Sequence, residues 1–121
     1  MNRTLVFGAS PNPNRYSNIA INKLRDNNID TVAFGTKNEI VRDVQIKTNL
    51  NELQNIDVVT LYMRSELQKK YYKEIIALQP NSVIFNPGTE NPEFYKLLQE
   101  NNIKVQVACT LVLLATNQYN V

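Results

Sequence analysis

The sequence contains no histidine. That absence removes Ser-His-Asp and Cys-His catalysis, and with them all histidine acid–base chemistry. The single cysteine excludes an internal disulfide framework. Without histidine beside it, a structural zinc site lacks enough ligands. No apolar run approaches the ~20 residues of a membrane span. No signal-peptide pattern opens the chain, where Met1-Asn2-Arg3 leads into a few strand-like residues. The expected location is the cytoplasm. Net charge is +2, from 13 basic and 11 acidic residues, a balance that lacks the basic stripe of a nucleic-acid binder. Neither nucleic acid nor membrane is an expected partner. An enzyme made from this inventory must use carboxylates, lysines, tyrosines, a lone thiol or a borrowed cofactor. A non-catalytic binding module is therefore the expectation.

What is present is ordinary globular material. A chain of 121 residues, 43% hydrophobic and 20% charged, suits one domain over residues 1–121. Strand and helix patterns alternate along it. Thr4–Phe7, Thr31–Phe34, Asp57–Met63, Ser82–Phe85 and Lys104–Val107 read as strands. Ser17–Asn27, Ser65–Leu78, Glu93–Asn101 and Cys109–Gln118 read as helices. Leu67, Tyr71, Ile75 and Leu78 form the apolar stripe of the second of these. Gly35–Leu50 reads as a polar loop with a brief extended piece at Val44–Ile46 and a helical turn at Asn51–Leu53. Asn91 is the expected N-cap of the helix that starts at Pro92. Such alternation predicts an α/β fold: one Rossmann-like, doubly wound sheet of about five parallel strands with helices on both faces. Ligands of such sheets bind beyond the carboxyl ends of the strands, where strand order reverses.

The first such loop is the most informative. The run Leu5-Val6-Phe7 halts at Gly8, and a polar segment leads to a helix near Ser17. A helix N-terminus offers unpaired N–H groups and the positive end of its dipole, and a bound phosphate satisfies both. Gly8 permits a sharp turn and close ligand approach. Ser10, Ser17 and Asn18 offer side-chain donors, and Arg15 a charge for phosphate. The plain alternative is an ordinary loop with a solvated arginine. The G-x-G-x-x-G fingerprint is absent. So is the acidic residue that NAD enzymes carry after the second strand. There the chain reads Phe34-Gly35-Thr36-Lys37. Lys37 favours a ribose bearing an extra phosphate, as in NADP or coenzyme A, unless it is simply a solvated lysine.

Several segments, taken in order, resemble one family. Val6-Phe-Gly-Ala-Ser-Pro with Arg15-Tyr-Ser is similar to its first loop. Val32-Ala-Phe-Gly-Thr-Lys is similar to the end of its second strand. Ile56-Asp-Val-Val with Met63-Arg64, Asn86-Pro-Gly-Thr-Glu-Asn and Val107-Ala-Cys109 follow suit. Together they resemble the small stand-alone CoA-binding proteins, related to the N-terminal domain of the succinyl-CoA synthetase α subunit. The resemblance implies a cofactor, coenzyme A or an acyl-CoA. It implies that Gly8, Ala9, Ser10, Arg15 and Ser17 meet the diphosphate. Thr36 and Lys37 would meet the adenosine ribose and its phosphate. Tyr62, Met63 and Arg64 would border the adenine or the start of the pantetheine arm. Gly88 and Asn91 would border the outer part of the cleft.

The remaining motifs carry less. Cys109 is read as a small buried hydrophobe rather than a reactive thiol. Among the carboxylates only Glu90 is expected near the cleft. Lys69-Lys70-Tyr71-Tyr72 is better explained by amphipathic packing than by nucleic-acid contact. Two other functions stand beside the binding module: an NADP-dependent reductase or acyl-transfer component using Cys109 or Glu90, and a fold that has lost its ligand and acts in protein association. Homo-oligomers fall within that last reading, and no residue names a protein partner.

Overall fold

Within each strand, alternate residues bury on opposite faces of one sheet, and this sorts the core into two. A computed structural model describes residues 2–119. Its strands are β1 (Thr4–Ala9), β2 (Thr31–Gly35), β3 (Ile40–Val41), β4 (Val44–Lys47), β5 (Val58–Leu61), β6 (Ser82–Phe85) and β7 (Lys104–Val107). Its helices are α1 (Tyr16–Asp26), α2 (Ser65–Gln68), α3 (Tyr72–Ala77), α4 (Pro92–Glu100) and α5 (Thr110–Ala115). Leu5, Phe7, Val59, Leu61, Val83 and Phe85 share one core with Ile75 of α3 and Phe94 and Leu98 of α4. Val6, Ala33 and Ile46 share the other with Ile21 and Leu24 of α1 and Leu114 of α5. Both faces are thus covered, as a parallel sheet requires.

The sheet has seven strands in the order β3-β4-β2-β1-β5-β6-β7, not about five. Neighbours pair in parallel except β3 with β4. The two additional strands lie in the segment expected as a loop, where β4 matches the expected extended piece at Val44–Ile46 and β3 is new. β4 extends β2 through Ala33 opposite Ile46, and β3 folds back on it around Arg42-Asp43. Strand order reverses on either side of β1, between β2 and β5. The switch point is therefore at the carboxyl end of β1, where the Gly8 loop begins.

Two glycines bring the chain close there. Gly8 has φ +97°, and a Cβ on it would lie 3.0 Å from the Tyr62 carbonyl oxygen. A Cβ on Gly35 would lie 2.3 Å from the Ala9 carbonyl oxygen. Absent side chains let β1 meet β5 on one side and β2 on the other. α1 ends at Asn27, followed by Asn28 at φ 57°, the left-handed exit that asparagine tolerates. The expected helix over Ser65–Leu78 is interrupted: a 3₁₀ turn over Lys69–Tyr71 separates α2 from α3.

Candidate ligand-binding site

At the carboxyl ends of β1, β2, β5 and β6 the exit loops enclose a cleft of about 740 Å³. Its lining includes Gly8, Ala9, Ser10, Arg15 and Ser17 from the first loop, and Thr36 and Lys37 after β2. Tyr62, Met63 and Arg64 follow β5, and Gly88 follows β6. All the residues expected in the site are there except Asn18 and Asn91.

Those two are occupied by the protein itself. Asn18 is buried, and its Nδ2 donates to the Ser10 carbonyl at 3.0 Å, tying the loop to α1. Its Oδ1 accepts from Asn22 Nδ2 at 3.1 Å. Asn91 is the N-cap of α4, its Oδ1 accepting from Phe94 N at 3.2 Å. Its Nδ2 donates to Gln68 Oε1 at 2.9 Å and to the Tyr72 hydroxyl at 2.8 Å. With its polar groups engaged and its side chain buried, Asn91 lies behind the cleft wall rather than on its outer border.

The first loop joins β1 to a helix that no side chain caps. Arg15 stands at the N-cap of α1 in an extended conformation. Arg15 N donates to the Asn12 carbonyl at 3.1 Å and Asn18 N to the Arg15 carbonyl at 3.0 Å, so the unpaired N–H groups at the start of α1 are those of Tyr16 and Ser17. Asn12 N donates to Ser10 Oγ at 3.1 Å, and Asn14 N to Asn12 Oδ1 at 2.9 Å. These short bonds hold the loop's outer turn. Arg15 and Lys37 are exposed and form no ion pair among the described residues. Arg64 has a loose exposed contact with Glu66 at 3.8 Å. Among the described residues, three cations and no carboxylate line the cleft. Glu90 is turned to its own loop, accepting from Gly88 N at 2.9 Å.

Part of the apolar lining of the cleft comes from residues that sequence reasoning missed. Phe34, Leu67 and Tyr71 line it. Phe34 and Tyr71 meet edge to face at 5.6 Å between centroids, and both pack on buried Phe7. The signal for Phe34 was position, since it immediately precedes the Gly35-Thr36-Lys37 loop. Tyr71 carried no such signal, because it enters from a separate element. Tyr62 reaches the cleft at its edge and packs against the second core. Its hydroxyl is buried without a hydrogen-bond partner. Burial pushes that phenol well above its ordinary range. Cys109 is half-buried at the N-cap of α5 and lies outside the cleft lining.

Behind the cleft, buried Asn86 braces β5, β6 and α5. Its Nδ2 donates to Thr60 Oγ1 and the Leu61 carbonyl, each at 2.7 Å, and its Oδ1 accepts from Thr110 N at 2.9 Å. It is a fully engaged structural amide. No group of three or more Cys, Asp or Glu side chains suited to a metal occurs among the described residues. No helix among them is long and apolar enough to cross a membrane.

Comparison with known proteins adds the family. A crystal structure of an uncharacterised protein is 37% identical, with a TM-score of 0.94 over 98% of each chain. A hypothetical protein from Pyrococcus horikoshii OT3 is 27% identical, with a TM-score of 0.81 over 90% of this chain and 78% of that one. A protein from Thermus thermophilus is 22% identical, with a TM-score of 0.86 over 98% of this chain and 90% of that one, and shares the fold. No curated protein matches the chain. The model of the CoA binding domain matches residues 2–115, and the chain belongs to that family.

Proposed function

We propose that this protein binds coenzyme A or an acyl-CoA in the cleft at the switch point and does not transform it. The observation that carries the reading is the charge of the lining: among the described residues Arg15, Lys37 and Arg64 line it and no carboxylate does, and a helix with no side-chain cap begins beside it. Such a cleft favours an extended, multiply anionic ligand. The α1 N-terminus with Ser10 and Ser17 would hold the diphosphate. Lys37 and Thr36, one strand away, would meet the phosphorylated ribose. The aromatic and aliphatic surface of Phe34, Leu67 and Tyr71 suits the less polar parts of the same molecule. Nothing in the lining pairs a nucleophile with a base, so binding is the function assigned.

The test is thermal stability against CoA, acetyl-CoA, dephospho-CoA, NAD and NADP. A ligand that binds only the folded state raises apparent stability by mass action. The expected order is CoA and acetyl-CoA above dephospho-CoA, with NAD without effect. Lys37→Ala should lower affinity for CoA about tenfold, the scale of one charged hydrogen bond, and leave dephospho-CoA nearly unchanged. A stronger shift with NADP than with CoA would favour the reductase. A flat response to all five would reject nucleotide binding and favour a role in protein association.

A further inference from the structure

The interrupted helix after β5 carries an inversion. Leu67 belongs by spacing to the apolar stripe, yet it is 40% exposed at the cleft. Its polar neighbour Gln68 is fully buried. The cause is visible in the bonds of Gln68. Its Nε2 donates to the Met63 carbonyl at 2.7 Å and to the Thr89 carbonyl at 2.9 Å. Its Oε1 accepts from Asn91 Nδ2 at 2.9 Å. One amide thus ties the exit loop of β5 to the exit loop of β6 and to the cap of α4. The 3₁₀ turn that follows lets Tyr71 pack on Phe7 and Phe34.

The two halves of the cleft pack together where Gly8 meets Tyr62 and Phe34 meets Tyr71, but the hydrogen bonds that fix each half are different. The loops after β1 and β2 are fixed by Asn18 on the Ser10 carbonyl and by the close approach of Gly35 to Ala9. The hydrogen bonds of Gln68 go to neither of these loops. The strand order runs β2-β1-β5-β6 across the cleft. A ligand with its ribose phosphate at β2 and its diphosphate at β1 must lay its remaining portion over β5 and β6.

We infer that Gln68 is a positioning residue for the arm of the ligand, fixing the walls at Met63 and Thr89 that take the pantetheine portion while leaving the nucleotide half untouched. This rests on the CoA reading. Replacing the amide with an apolar group would leave the buried Thr89 carbonyl and the part-buried Met63 carbonyl without this donor, and the walls would part to reach water. Gln68→Glu makes a sharper change. A carboxylate accepts but cannot donate, so it opposes both carbonyls until it is protonated.

The experiment is calorimetric titration of the full chain and its variants with CoA and with adenosine 3′,5′-bisphosphate, which lacks the arm. Gln68→Leu should weaken CoA about tenfold or more and change the bisphosphate less than about twofold. For Gln68→Glu, CoA affinity relative to the wild type should climb as pH falls, while relative bisphosphate affinity stays level. Should Gln68→Leu not fold, the Glu variant decides alone. Equal weakening of both ligands, no weakening of CoA, or a pH-independent ratio for the Glu variant would each overturn the inference while leaving CoA binding intact. Wild-type protein that binds neither ligand would overturn the CoA reading, and this inference with it.

Discussion

The two ends of the sheet each hold a charged depression, and they differ in one respect. At the amino ends of β1, β2 and β5 lies a hollow of about 470 Å³ lined in part by Arg3, Asp30 and Asp57. There each charge has a protein partner. Arg3 Nε donates to Asp30 Oδ2 at 3.0 Å, and its Nη1 donates to the Gln54 carbonyl at 2.9 Å. Arg3 N donates to Asp57 Oδ2 at 2.7 Å. At the carboxyl ends, Arg15 and Lys37 point charge at a cleft that returns none, beside a helix without a cap. Concavity and charge are common to both ends. What separates a binding site from a structural joint is whether the donors are already satisfied.

The strongest way to break the comparison is to disturb the joint on which the cleft is built. Gly35→Ala places a methyl group 2.3 Å from the Ala9 carbonyl, against backbone that has no side chain to swing aside. β1 and β2 must then separate at the switch point. The expected loss of stability is about 1–3 kcal/mol, with CoA binding lost or much reduced. Denaturant unfolding and calorimetry together check it. Unchanged stability would mean that the strand ends are free to move apart, and that the cleft is less fixed than its bonds indicate.

A matched pair of arginine changes sharpens the contrast. Arg15→Ala should leave stability within about 0.5 kcal/mol of the parent, because the side chain is exposed and has no ion-pair partner among the described residues. It should weaken CoA about tenfold. Arg3→Ala should do the reverse. It removes a half-exposed ion pair, which solvent screening limits to about 1 kcal/mol or less, and should leave CoA affinity within about twofold. If Arg3→Ala weakened CoA as strongly as Arg15→Ala, the two ends would be coupled and the distinction between them would fall.

The same distinction explains how much the sequence disclosed. The Gly8 turn and the helix after it were legible because they are local: an apolar run, a glycine, then a new period. Lys37 was legible from its place after the second strand, and the family resemblance extended this to the loops at Arg64 and Gly88. The extended piece at Val44–Ile46 was legible and is β4, but β3 and its pairing into a hairpin were not. Val41, Val44 and Ile46 are buried, but Arg42 and Asp43 interrupt them and Ile40 is exposed. Their strand character depends on β2, a partner elsewhere in the chain. Asn18 was expected among the ligand contacts because a short polar side chain near a helix start gives the same signal whether it bonds ligand or backbone, and Asn91, read from the sequence as the N-cap that it is, was placed at the cleft border by the resemblance alone. Gln68 was hidden for a related reason. Nothing local distinguishes a buried glutamine from a solvated one when its partners lie on two other loops.

The smallest expected effect lies at the paired end and concerns the last described residue. The Tyr119 hydroxyl sits 2.6 Å from Oγ1 of fully buried Thr4, at the start of β1. Burial pushes its phenol up to about 12, and the Thr4 hydroxyl offsets this only in part. In an unfolded chain the group ionises near 10. Its folded-state value is therefore raised, and the fold favours the neutral form. That contribution is complete below about pH 10 and is lost as pH climbs from there toward about 12. Alkaline titration followed by tyrosinate absorbance and circular dichroism should show the step for Tyr119 arriving with loss of structure, not before it. Tyr119→Phe should remove the step at a cost of about 1 kcal/mol and leave CoA affinity at neutral pH unchanged. Tyrosinate at position 119 formed at an ordinary pH in an intact fold would show that this contact is open to water. The paired end would then be less closed than the cleft it is contrasted with.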